Sequence, residues 1–272
     1  MRNDYYKAAN KFPNGAYEQY RKDIVAYVDE TEDRFRNIWE SSLAAHVQLL
    51  TDDDQDRVER DLERVEQAFT AAITALAMER KISNMATQTR QAAVAGLRQE
   101  LSAMLDTDFT PMFRQQPLDK FVRQTIQQNV RLIKSIASDQ YGEIERLIYK
   151  GAREGWSKDK ISQKVFNQFD VSRGRANVIA MDQTGSLQGS INKNIQNEQL
   201  GLERFAWIGI PDNRIREKHA EIASNIGGQD CYRWDDPPKG ILPGMEVACR
   251  CWARPCNEEL QGKFGGGNLA QI

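Results

Sequence analysis

Along the first three-quarters of the chain, apolar residues recur at helical spacing. From Thr51 they fall at Val58, Leu62, Val65, Phe69, Ala72 and Leu76, steps of four and three that draw one stripe along a helix. Thr51 is placed to cap that helix, and Asp52, Asp53 and Asp54 lie where the helix dipole favours negative charge. Tyr17, Tyr20, Ile24, Val28, Phe35, Ile38 and Trp39 predict an earlier long helix after Pro13-Asn-Gly, and Val94, Leu97, Leu101 and Leu105 a third. Pro111 and Pro117 punctuate the pattern. Phe121, Ile126, Val130, Ile133, Ile136, Ile144, Leu147 and Ile148 then continue without a breaker to Gly151. At about 1.5 Å per residue that helix approaches about 50 Å, more than a compact domain usually needs. Ser157 is expected to cap a short helix ending at Phe169, and Ser172 to open another that runs to about Gln199.

The pattern changes after residue 200. The last 72 residues hold ten of the 18 glycines, five of the eight prolines, three of the five tryptophans and all four cysteines. Turn formers are crowded there, which predicts a compact, short-stranded module. Arg204–Ile210 reads as a strand ended by Pro211-Asp-Asn, and a short helix follows from Arg214 to about Ala223 with Asp212 at its N-cap. Cys231–Trp234 reads as a second strand and Glu246–Ala253 as a third. Asp235-Asp-Pro-Pro-Lys-Gly and Pro243-Gly read as turns. The expected fold is therefore mainly α, with long helices in the N-terminal and middle parts and a small α+β, loop-rich C-terminal module. The expected parts are a helical arm (1–111), a helical domain with a long spacer helix (112–200), the compact module (201–258) and a flexible tail (259–272).

Charge and composition narrow the function classes. The net charge is −2, which excludes a globally basic nucleic-acid binder. Residues 112–200 alone carry +5, against −6 for 1–111, so a basic patch remains open beside the plainer reading of solvated helix faces. No apolar run approaches the roughly 18–20 residues of a membrane-spanning helix. The opening Met1-Arg-Asn-Asp-Tyr-Tyr-Lys lacks the charged-then-apolar pattern of a secretory signal. Four cysteines are too few for a disulfide scaffold, and reduced thiols are expected.

The candidate chemistry lies in the C-terminal quarter. Asp212, Arg216 and His219 are spaced four and three apart and share a helix face. In an extended strand Cys249 and Cys251 point to the same side. With His219 on a nearby helix, these residues supply three of the four ligands of a tetrahedral zinc site. Cys231, Cys256 and Asp212 are the candidates for the fourth. Two other readings stay open: small buried thiols beside a hydrogen-bonded histidine, or a disulfide. A metal or polar cross-link would help a loop-rich segment of 50–60 residues that buries little core.

The motifs occur in a telling order: Asp182-Gln183-Thr-Gly-Ser-Leu, Phe205-Ala-Trp207, Asp212-Asn-Arg214-Ile-Arg216-Glu-Lys-His219, Trp234-Asp-Asp-Pro237-Pro238, Pro243-Gly and Cys249-Arg-Cys251-Trp-Ala. This order resembles the phage head morphogenesis proteins of the Mu F-like family, the minor head proteins of tailed bacteriophages. The likeness runs from about Ile161 to Pro255 and more faintly from Leu118, where Asn129-Val-Arg-Leu-Ile-Lys-Ser-Ile is similar too. The resemblance implies a non-enzymatic virion component present in few copies, joining the procapsid in the host cytoplasm and residing in the capsid interior at the portal vertex. It implies the portal protein as partner, scaffold, major capsid protein or packaged DNA as further contacts, and a role in head morphogenesis, genome packaging or ejection. Met181 departs from the family, which usually has arginine there, and Cys231 is not a family position.

Two other functions compete with this. A metal-dependent hydrolase or nuclease would use His219 and Asp212. Against it stand the single histidine of the region and thiolate ligands, which favour closed structural sites. A nucleic-acid-binding module would rest on the basic middle segment alone. No nucleophile elbow, phosphate-binding loop or dinucleotide fingerprint occurs in the sequence.

Overall fold

Five runs of helix make up most of the computed structural model, which describes residues 11–47, 52–109, 118–224 and 231–265. α1 spans Asn14–Ile38 and continues through one π turn, Trp39–Leu43, to His46. α2 is Asp52–Ala75, α3 Met78–Leu105, α4 Asp119–Arg153 and α5 Lys158–Lys193, with a π turn at Asn194–Gln199. Thr51, the expected cap of α2, and Pro111 and Pro117 lie outside the described residues. Among the described residues no helix is long and apolar enough to cross a membrane.

The stripe read from the sequence is the buried face of α2: Val58, Leu62, Val65, Phe69 and Ala72 are all buried. Ser157 caps α5, its hydroxyl accepting from the Lys160 N–H at 3.3 Å. The break expected between Phe169 and Ser172 is absent. α5 is a single helix of 36 residues, with Ser172 buried inside it. Neither proline nor a positive-φ glycine interrupts residues 158–193, and a mid-helix serine or glycine costs only about 1 kcal/mol or less, too little to end a helix that packing holds.

Contacts divide the chain into two units, each drawing on separated stretches. Residues 19–83 and 126–180 form one. Apart from short turns, its described residues are helical. Its aromatic core joins Phe35 to Phe166 and Phe169 at ring distances of 5.5 and 5.8 Å, and Phe169 to Phe69 at 6.3 Å. Two hydrogen bonds between buried polar side chains cross helices: the Tyr20 hydroxyl donates to Asn129 at 2.6 Å and Thr31 to Gln140 at 3.3 Å. Arg173 ties α5 to Asp29 and Glu32 of α1.

Residues 1–18, 84–125 and 181–272 form the second unit, which contains the sheet. β1 (Arg204–Ile208) is central, flanked antiparallel by β2 (Tyr232–Arg233) and β3 (Trp252–Pro255). The register pairs Phe205 with both Tyr232 and Pro255, and Trp207 with Ala253. α6, Glu217–Ser224, lies between β1 and β2 in the chain, and α7, Asn257–Phe264, follows β3. Residues 259–264, expected as the start of a tail, complete α7. Its buried Phe264 meets Phe109 at 6.5 Å, and Glu259 accepts from the backbone N–H groups of Glu203 and Arg204. One core gathers Phe205, Trp207, Ile222 and Trp234, and a second gathers Phe12, Ile208, Ile210 and Trp252.

Candidate functional site

The third strand is shorter than expected, and this reshapes the site. β3 begins at Trp252, so Cys249 and Cys251 precede it in irregular chain instead of lying within a strand. Ala248, at φ 54°, sends the backbone through the left-handed region just before them. The side chains still converge. His219, on α6, places Nδ1 3.6 Å from both the Cys249 and the Cys251 sulfur. All three residues are buried, and their ligand-type atoms lie within 4.8 Å of one another.

The other ring nitrogen of His219 meets Glu246 Oε2 at 2.8 Å. Lys218 donates to the second oxygen of that carboxylate at 2.5 Å, and Arg216 stands 3.8 Å away. The Lys218 hydrogen bond, with help from His219, holds the Glu246 carboxyl below its ordinary range, so it is ionised and accepts. The face of the ring is packed edge-on against Trp207 at 5.3 Å. Between the two sulfurs, Cys251 donates into Cys249 and draws the Cys249 thiol down to about 6. That shared proton, together with burial, pushes Cys251 up.

Asp212 stands outside this cluster. Its oxygens accept from Arg250 at 2.9 and 2.7 Å and from Arg214, both backbone and guanidinium. The Arg250 pair comes first among the causes that hold its carboxyl well below the usual carboxylate range. α6 begins only at Glu217, so Asp212 closes a turn on Arg214 instead of capping the helix. It is therefore no partner for His219 and no fourth ligand. Cys231 and Cys256 are not ligands either, because they form a disulfide. That corrects the expectation of four reduced thiols. Cys231 directly precedes β2 and Cys256 directly follows β3, and with both strands paired to β1 at Phe205 their Cα atoms lie 5.8 Å apart.

Several motif residues prove to be supports for the cysteine loop. Asp182 accepts the Ala248 N–H at 3.2 Å, fixing the strained residue before Cys249. Gly185 lets α5 touch that loop, since a Cβ there would stand 2.4 Å from the Cys249 carbonyl oxygen. Gly189 does the same against Pro243, at 2.7 Å. Gln183 is buried in the same helix. Trp234 stacks on Phe205 at 4.3 Å, and Pro237 and Pro238 lead into a single 3₁₀ turn. Met181 packs against the Phe12 and Trp252 core. Arg214 and Arg216 serve Asp212 and Glu246, respectively.

Sequence reasoning missed Glu246, which had been read as the first residue of the third strand, and the Arg250–Asp212 pair. The arginine's place between the two cysteines was the available signal for the second; Glu246 offered none. A cavity of about 240 Å³ opens beside the cluster, lined among others by Met181, Ile210, Ile215, His219, Cys249 and Cys251.

No solved structure matches the chain. A protein of Haemophilus influenzae described as uncharacterized is 26% identical over 136 residues, 48% of this chain and 29% of that protein. The chain thus covers under a third of that curated relative's length. The stretch that carries α5, the sheet, His219 and both free cysteines is also the stretch with a family assignment: residues 142–254 match the family described as Phage Mu protein F like protein.

Proposed function

We propose that the protein is a minor head protein of a tailed bacteriophage, held at the portal vertex and acting in head morphogenesis. The observation that carries this reading is the match of residues 142–254 to the Mu F-like family. The role is structural. Asp182, Gly185 and Trp234, all within the matched stretch, serve packing and loop support, as an assembly module would require. The hydrolase reading loses its acid, because two guanidinium groups occupy the Asp212 carboxylate.

Co-expression with the portal protein of the same phage, followed by purification on a tag carried by the portal, tests the reading. Co-purification is expected, as is a band in purified particles far below the major capsid protein in amount. Absence from both procapsids and virions overturns the proposal.

A further inference from the structure

The cluster of His219, Cys249 and Cys251 has the geometry of a metal site, and nothing in the head-assembly role requires one. Zinc binds sulfur at about 2.3 Å and imidazole nitrogen at about 2.0–2.1 Å; at tetrahedral angles this sets sulfur and nitrogen ligands about 3.6 Å apart. Both sulfurs stand 3.6 Å from Nδ1 of His219. Hydrogen bonding alone accounts poorly for that symmetry. Nε2 of His219 faces the Glu246 carboxylate at 2.8 Å, which leaves Nδ1 as the nitrogen turned toward the two sulfurs. A ring nitrogen has one proton or one lone pair and so serves one sulfur well, whereas a metal ion on it reaches both. The Glu246–His219 pair is also the arrangement that orients a ligating imidazole, with Lys218 fixing the carboxylate in turn.

We propose that His219 Nδ1 and the Cys249 and Cys251 sulfurs bind one zinc ion, with the fourth position turned toward the adjoining cavity and filled by water. Both sulfurs bind as thiolates, any proton they still hold passing to solvent as the ion binds, which leaves a Zn²⁺–dithiolate–imidazole centre without net charge. The cavity borders all three ligands and is large enough for several waters. Such an ion staples α6 to the loop ahead of β3, two segments about thirty residues apart in the chain. The disulfide between Cys231 and Cys256 leaves these two thiols as the free ones.

The test uses the full chain, stripped with a chelator, with the Cys231–Cys256 disulfide intact. Zinc and cobalt are titrated separately. Cobalt should give thiolate-to-metal charge-transfer absorption with the visible bands of a tetrahedral ion, saturating at one equivalent. Zinc should displace it, release protons and protect Cys249 and Cys251 from alkylation as mapped by mass spectrometry. Glu246→Gln, which keeps all three ligands, should weaken zinc binding by about 10–100-fold. Cys249→Ser should abolish the charge-transfer band. The wild-type labelling experiment stands even if that variant misfolds. Two thiols that alkylate equally fast with and without excess zinc, or that close into a second disulfide in its presence, overturn the proposal.

Discussion

The all-helical unit and the sheet-bearing part of the other unit are held by different kinds of contact. Around Phe35, Phe69 and Phe169 the core is a set of large side chains recurring every three or four residues on α1, α2 and α5, and several rings share each contact. Around Trp207 the chain depends on single, unrepeated features: a disulfide, an Asp182-to-Ala248 hydrogen bond, a bidentate arginine and two glycines pressed against backbone carbonyls. A periodic core spreads each loss over many neighbours and tolerates volume-conserving exchange. A core of single contacts does not. The comparison teaches where one substitution is expected to matter.

The largest effect should come from the disulfide. It closes a 25-residue separation around β2 and the turns that follow, and in the chain-entropy account such a link contributes about 3 kcal/mol. Cys231→Ser should therefore loosen β1–β3 and leave α2 unaffected. Leu62→Met, a volume-conserving change at a fully buried site of the helical unit, should cost less than about 1.5 kcal/mol. Peptide-resolved hydrogen exchange separates the outcomes. Faster exchange confined to residues 204–208 and 252–255 is expected. Uniform acceleration through both units would break the distinction.

The same contrast explains what could be read from the sequence. The buried stripe of α2 was legible because Val58, Leu62, Val65, Phe69 and Ala72 repeat one geometric rule. His219, Cys249 and Cys251 were legible as a group because few residue types bind soft metals, although the two cysteines converge from irregular chain and not from one face of a strand. Glu246 was not legible: a lone glutamate gains meaning only when a turn of chain brings it to Nε2 of His219. The disulfide was hidden for a similar reason. Cys231 and Cys256 meet through strand pairing on the two sides of β1, and no spacing in the sequence encodes that. The helix runs through Ser172 because burial along α5 outweighs the capping preference of a serine.

Two glycines on α5 sharpen the comparison, because the same substitution should act with opposite sign. At Gly185, in the sheet-bearing unit, an alanine Cβ would lie 2.4 Å from the Cys249 carbonyl oxygen, and a backbone atom cannot swing away. Gly185→Ala should cost about 1–3 kcal/mol by overpacking. At Gly174, in the helical unit, a Cβ meets nothing within 4 Å. Gly174→Ala should stabilise by about 0.5–1 kcal/mol, since it removes unfolded-state freedom from a mid-helix position. Urea denaturation of the two variants beside the parent protein measures both signs. A stabilising Gly185→Ala would show that the helix and the cysteine loop are not in contact in solution.

The smallest effect concerns Asp212 and acid. Its carboxyl ordinarily titrates near 3.8, and in the folded protein the Arg250 pair, followed by Arg214, holds it lower. The folded state therefore favours the ionised form more than the unfolded chain does. The resulting stability is fully present above the unfolded value and is lost as pH falls from about 4 toward the folded value. Arg250 is nearly buried at 9% exposure, but Asp212 is 28% exposed, so solvent screening reduces the contribution to about 1 kcal/mol. Asp212→Asn keeps the shape and removes the charge. Urea midpoints measured between about pH 3 and 7, with chelator present throughout, should show the parent protein more stable near neutrality and the gap narrowing below about pH 4. Equal midpoints at pH 7, or a constant gap at every pH, would mean that the ionised Asp212–Arg250 pair does not support the fold, leaving the disulfide and the glycine contacts to hold the cysteine loop.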